Sequence, residues 1–364
     1  MTGRLLLYNL LKLAVSDNDS SLILENSCSA KVYSLAKSQG IAGIAFLGLR
    51  KHMEIHGIKK ENLGEAVNVY DRWFATTASI ILHNDKISHL QGKLSKYLYE
   101  EGIKALVLKG LSIAKYYDDA SLRCFGDLDF YSPTDYDKLD EVLKSISTNF
   151  TVDYYRHSEC MVNGVMVENH RYLTDVRGQS RFYKLENFLQ SEASASLASI
   201  VDGGLYYANE CFSFVFFVYH AFSHFLYEKL SLKFLVDWCV MLKGRNELAD
   251  DILDQKLNEF SLMHFAATMT ALCVGRLGLQ EVFVPKLLLS ESKSIKQDLL
   301  DRFEDDIFVQ EYEKFSSNSL QDRLKRGKEF YKKSWKIKEF LNVSTTAFLW
   351  EKICALKKDK LHLK

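Results

Sequence analysis

The sequence predicts an α+β protein that is predominantly helical, with one small mixed sheet between an N-terminal helical region and a C-terminal helical domain. Three observations predict it. Only two prolines, Pro133 and Pro285, occur in 364 residues, so little breaks a helix. Apolar residues recur at three- and four-residue spacing over most of the chain, the period of a helix with one buried face. Between residues 103 and 175 the period drops to two, the mark of strands. The balance of 47% hydrophobic to 26% charged residues excludes a disordered or low-complexity chain.

Taken in order, the elements divide the chain into a helical region at 1–100, an α/β core at 101–180 and a helical domain at 181–364. Leu5, Leu6, Leu10, Leu13 and Ala14 share a helical face, and Asn9 and Lys12 interrupt the apolar start. That pattern suits an amphipathic helix and not a signal peptide. Val32, Leu35, Ala36 and Gln39 recur at helical spacing before Gly40. Gly57 and the polar stretch 59–64 break the pattern before one or two long helices over Ala66–Leu98. Lys104–Leu108 is a short apolar run suited to a buried strand, and Leu111–Tyr117 to a helix. Asp127–Tyr131 alternates acid with apolar residue. Pro133 opens a helix over Tyr136–Ser147. Thr151–His157 and Val165–Leu173 read as two further strands around the Asn163-Gly164 turn, making about four in all. Helical patterns resume at Ala208–Leu230, Leu232–Lys243, Asp250–Phe260 and Met263–Leu277.

Charge and cysteine usage narrow the class of function. Lys+Arg and Asp+Glu balance at 47 each, so no net field draws the protein to nucleic acid or anionic lipid. Locally, residues 321–364 hold 13 Lys/Arg against 5 Asp/Glu. There Arg323–Lys338 interleaves Phe330, Tyr331 and Trp335, which suits either a solvated amphipathic helix or a basic face for a membrane surface or nucleic acid. Seven scattered cysteines without a CxxC pair argue against a disulfide framework and a zinc ribbon. The most apolar stretch, Cys211–Tyr227, is interrupted by Ser213, His220, Ser223 and His224 and is too short to span a bilayer comfortably. The expected compartment is the cytoplasm.

The residue pattern with most chemical content is Gly126-Asp127-Leu128-Asp129-Phe130. Two carboxylates at i, i+2 of a strand project from one face. They repel unless a cation lies between them, and hard divalent ions take such oxygen ligands together with phosphate oxygens. Upstream, Val107-Leu108-Lys109-Gly110 ends a strand in a cation and a residue that lets phosphate approach the backbone. Downstream, Val165–Glu168 sets a third acid among apolar neighbours, with Glu159 the alternative. Strand-Lys-Gly-helix, then two acids, then one acid is the order of a two-metal nucleotidyl-transfer site.

The stretch Ala105–Tyr131, with its Lys109-Gly110 and Arg123-x-x-Gly126-Asp127-x-Asp129, resembles the uncharacterised nucleotidyltransferase family of the DNA polymerase beta-like superfamily. Val165–Leu173 is similar to that family's acid-x-His strand. His220-x-x-x-His224 with Lys233–Asp237 resembles its helical His/Asp segment. The resemblance covers about residues 1–245. It implies a polymerase-beta-like mixed sheet and an enzyme that moves a nucleoside monophosphate from an NTP, ATP included, to an acceptor hydroxyl. It further implies Asp127, Asp129 and Glu168 as holders of Mg²⁺ or Mn²⁺, with Lys109, Gly110, Ser112, Arg123 and Gly126 around the nucleotide. Arg123 is expected to pair with a phosphate or with the acids themselves. His170, His220, His224 and Asp237 form an expected second cluster across the cleft that orients substrate or relays protons, with Asp237 orienting an imidazole; the alternative is that His220 and His224 are core residues bonded to backbone or a carboxylate. The acceptor, whether small molecule, sugar, protein or RNA, is left open. The alternative is a non-catalytic nucleotide- or partner-binding module on the same fold.

Overall fold

The computed structural model describes residues 3–16, 28–153, 156–175, 182–197, 206–309, 320–351 and 354. Its first helices are α1 (Gly3–Val15), α2 (Ala30–Ser38), α3 (Ala42–Ile55), α4 (Val67–Glu100), α5 (Lys109–Ala114) and α6 (Tyr136–Ile146). The later ones are α7 (Tyr183–Ser196), α8 (Glu210–Tyr227), α9 (Leu232–Gly244), α10 (Asp250–Glu259), α11 (Met263–Leu272), α12 (Lys286–Ser294), α13 (Gln297–Phe308) and α14 (Leu320–Leu341). The strands are β1 (Leu106–Val107), β2 (Asp127–Tyr131), β3 (Thr148–Asp153), β4 (His157–Val162), β5 (Val165–His170) and β6 (Tyr206–Tyr207). They form a mixed sheet of order β3-β4-β5-β2-β1-β6 among the described residues. The protein is therefore α+β and mainly helical, as composition and period indicate.

The sheet has six strands where the sequence suggests about four. Strands β1 and β6 are two residues each, too short to show a period. Strand β4, HSECMV, alternates buried and half-buried positions, but its polar residues and lack of a β-branched run hide it. It pairs antiparallel with β5 through a turn at Asn163-Gly164. Both turn residues have positive φ, 51° and 75°, the geometry a two-residue hairpin needs.

The two faces of the sheet meet different environments. Leu128, Phe130, Cys160, Val162, Val165 and Val167 pack on Ile87, Leu90, Leu94 and Leu98 of α4 and on Leu139 and Leu143 of α6. The opposite face of β2 and β5 carries the acids. Helix α4, 34 residues and about 51 Å long at 1.5 Å per residue, is the strut that holds this arrangement. Its Trp73 donates to the Ala42 carbonyl at 2.8 Å. Its Asn84 amide donates to the carbonyls of Ser121 and Arg123, both at 2.7 Å, and so fixes the loop entering β2.

A second, larger core joins the N-terminal and C-terminal helices, with Leu7, Leu10 and Phe46 in one cluster with Phe214, Trp238 and Phe303. Buried Gln39 ties them: its amide donates to the Ile307 carbonyl at 3.0 Å and accepts from the Leu232 amide at 2.9 Å. Helix α8 is buried nearly all round, which is why it reads as almost continuously apolar. Its His220, Ser223 and His224 are only half-buried. All seven cysteines are free thiols. Among the described residues no helix is long and apolar enough to cross a membrane.

The basic C-terminal segment divides. The side chains of Arg323–Phe330 lie outside the described residues. Beyond them Tyr331 is exposed, but Phe340 is buried, and Trp335 stacks beneath the Arg302 guanidinium at 4.3 Å. Lys336 is fully buried, donating to Asp306 at 2.6 Å and to the Phe225 carbonyl at 2.8 Å. This half of α14 uses Trp335, Phe340 and Lys336 for internal packing, which removes these three, though not Tyr331, from any lipid or nucleic-acid face.

Candidate active site

Strand β2 alternates acid and apolar residue because its two faces differ, and the parallel register with β5 does the rest. Asp129 lies opposite Glu168, and Asp127 opposite Met166. Asp127, Asp129 and Glu168 therefore share one face, and each offers an oxygen within 4.8 Å of the others'. Glu159 sits on the far side of Glu168, where its carboxylate accepts from the Thr151 hydroxyl at 3.1 Å, so Glu168 is the acid that joins the pair.

Two cationic or titratable side chains press on this trio. The Lys109 ammonium donates to Asp129 at 2.7 Å and to Glu168 at 3.3 Å. His170 Nε2 lies 2.9 Å from the same Asp129 oxygen and 3.1 Å from Glu168 Oε2. Lys109 has φ of +49°, a left-handed backbone that a non-glycine residue adopts at a cost of about 1 kcal/mol or more and that clusters at functional sites. Burial pushes the Asp127 carboxyl upward, and the neighbouring Asp129 charge adds to it. Burial works the same way on Glu168, but the His170 hydrogen bond and the Lys109 charge outweigh it and hold that carboxyl far below the usual range. Asp129 is 1% exposed, and its Oδ2 has no hydrogen-bond partner among the described residues. A buried carboxylate oxygen with no donor, beside two more acids, fits a hard divalent cation.

The residues expected around a nucleotide are near this trio. Gly110 follows Lys109 into α5, and a Cβ there would stand 3.0 Å from Arg123 Nη1 and 3.3 Å from Phe125, so a larger residue would press on both side chains. The Ser112 hydroxyl donates to the Lys109 carbonyl at 2.7 Å. A Cβ on Gly126 would meet nothing within 4 Å, so Gly126 borders open space.

Arg123 and Asp237 depart from expectation. Arg123 touches neither acid of β2. Its Nε and Nη2 make a two-pronged pair with Asp237 at 2.7 and 2.8 Å, and both side chains are buried. Asp237 also accepts from the Tyr117 hydroxyl at 2.6 Å. With three donors Asp237 orients no imidazole. The reason is electrostatic: a guanidinium buried under α5 needs a buried counter-charge, and α9 supplies it. His224 takes its carboxylate partner locally instead, from Glu228 at 2.7 Å.

A cleft of about 540 Å³ opens between the acid face and the α8–α9 helices. Lys109, Gly110, Ser112, Arg123, Gly126, Asp127, Glu168 and His170 line one side, and His220, His224 and Asp237 the other. The His220 and His224 rings lie 4.5 Å apart, edge to face. Burial, and then the neighbouring His224, push the His220 imidazole downward from its ordinary range. Lys233, Arg156 and His157 are among the cleft residues to which the sequence assigns no role. Lys233 lines the wall beside Asp237 and pairs with no carboxylate among the described residues; burial and then the Arg123 charge lower its pKa. Arg156 and His157 line the cleft next to Glu168 and His170. Spacing of four residues from Asp237 is a signal for Lys233, whereas His157 becomes visible only through the pairing of β4 with β5.

The sequence model of a family described as uncharacterised nucleotidyltransferase matches residues 29–278. That span takes in every residue of the cleft. No curated protein and no solved structure matches the chain.

Proposed function

Since the chain belongs to the uncharacterised nucleotidyltransferase family, we propose that its cleft moves a nucleoside monophosphate from an NTP to an acceptor hydroxyl and releases pyrophosphate. The observation that carries this reading is the convergence of Asp127, Asp129 and Glu168 on one sheet face around a buried, partnerless carboxylate oxygen. These residues would hold Mg²⁺ or Mn²⁺, which supplies neutralisation of the phosphate charge when bound. The rest is positioning and electrostatics from the chain itself. Lys109 neutralises the acids before the substrate arrives and exchanges them for the triphosphate afterwards. Lys233, on the facing wall, is a second cation for the same phosphates. Gly110 lets them reach the backbone. The helix α8 wall, with His220 and His224, covers the acceptor side and excludes water. Seven free thiols and the need for an NTP supply support a cytoplasmic location.

The test is calorimetric titration of the full chain with each NTP, with and without Mg²⁺, in the wild type and in Asp129→Ala, followed by pyrophosphate release on adding cell extract. Binding that needs the divalent ion and Asp129, with pyrophosphate released, supports the reading. Equal binding in the variant overturns the site. Metal-dependent binding with no pyrophosphate from any extract makes the protein a non-catalytic nucleotide-binding module.

A further inference from the structure

Glu168 belongs to two groups of potential ligands at once. Besides the acid trio, His157, Glu168 and His170 each offer a ligand atom within 4.8 Å of the others'. We propose that these three residues form a separate site for a borderline divalent ion such as Zn²⁺ or Co²⁺, open to the cleft and sharing Glu168 with the carboxylate site.

The register builds it. His157 lies opposite His170 across β4 and β5, and Glu168 is two residues before His170 on the same face. The spacing matches coordination without rearranging the sheet. Metal–nitrogen bonds of about 2.0–2.1 Å at a tetrahedral angle put two imidazole centres about 5 Å apart, and the rings of His157 and His170 are 5.3 Å apart. The same geometry sets ligand nitrogen and oxygen about 3.4 Å apart, against 3.1 Å between His170 Nε2 and Glu168 Oε2. Between Glu168 and His170 an ion thus needs an adjustment of a few tenths of an ångström, and it replaces the His170 contacts to Glu168 and Asp129. Two imidazoles and a carboxylate facing a cavity leave further positions open, which is the ligand set of a reactive rather than a closed structural centre. Imidazole donors favour borderline ions, whereas the all-oxygen trio favours Mg²⁺. The two sites therefore sort different ions.

The experiment uses the full chain, stripped with chelator and titrated with Co²⁺ in excess Mg²⁺. The readouts are cobalt per chain by elemental analysis and the visible d–d spectrum, neither of which requires turnover, so failure here is distinct from failure of the transferase reading. The wild type should bind one Co²⁺ with the intense spectrum of a four- or five-coordinate ion. His157→Ala should weaken binding by more than about tenfold, the lower bound for losing even an outer-sphere partner. The control His264→Ala, at a half-buried histidine outside the cleft, should not. His157→Cys should retain cobalt and add a thiolate-to-cobalt charge-transfer band, a gain that a merely structural histidine would not produce. An absence of Co²⁺ binding, a weak octahedral spectrum unchanged in His157→Ala, or no charge-transfer band in a folded His157→Cys would overturn the proposal.

Discussion

Replacing Arg123 by Met separates a structural guanidinium from one that binds phosphate. The Arg123 and Asp237 side chains are 5% and 1% exposed, and their nearest contact is 2.7 Å. The substitution strands a buried carboxylate with only the Tyr117 hydroxyl as donor. Removing one partner of such a pair costs about 3–5 kcal/mol. For 364 residues, an unfolding entropy of about 2.1 cal/mol/K per residue turns that into a fall in Tm of about 4–7 °C. Adding Asp237→Asn removes the stranded charge and keeps an acceptor for Tyr117, so the double variant should recover about 2 kcal/mol in a double-mutant cycle. Urea unfolding without nucleotide reads both. A cost below about 1 kcal/mol, or strictly additive effects, would refute the buried pair and return Arg123 to the role of a phosphate ligand.

Three other outcomes are expected. Lys109→Ala removes the ammonium that competes for Asp129 and Glu168, so Mn²⁺ should bind the variant more tightly and NTP more weakly, both read by calorimetry; weaker Mn²⁺ binding would contradict the exchange. Glu210 accepts from the amides of Asn246, Glu247 and Leu248; burial opposes but these bonds prevail, and its carboxyl is held low. Its folded pKa is below the unfolded value, so its contribution is present above about pH 4.5 and lost as pH falls. Glu210→Gln should cost about 1–3 kcal/mol at pH 7 and flatten the acid limb of stability, and an unchanged limb would count against it. His224→Ala removes a half-buried cleft residue paired to exposed Glu228; turnover should fall at least about tenfold while Tm shifts by less than about 2 °C, and the reverse ranking would make it a packing residue.

What the sequence reveals follows the range of the interactions. Asp127 and Asp129 are legible because alternation over five residues already puts both on one face. Glu168 and Lys109-Gly110 are legible as ends of short apolar runs. The long helices α4, α8 and α9 show themselves by period and by the rarity of proline. Features that depend on distant pairing stay hidden. The Arg123–Asp237 pair joins residues 114 positions apart, and nothing local distinguishes it from a phosphate ligand beside two acids. His157 needs the register of β4, a strand masked by its own polar residues. Lys233 is local in spacing, but its exposure to the cleft depends on how α9 is rotated against the sheet.

The central claim, that the acid face supports nucleotidyl transfer, is tested most directly by the position of the label that moves. Purified full-length protein would be incubated with cell extract, Mg²⁺ and ATP labelled in turn at the α- and γ-phosphates, then with the other NTPs. Product should be labelled from the α-phosphate only, with pyrophosphate released one for one, and should be lost in Asp129→Asn with the fold intact. Label from the γ-phosphate, or α-label transfer undiminished in Asp129→Asn, would contradict the claim.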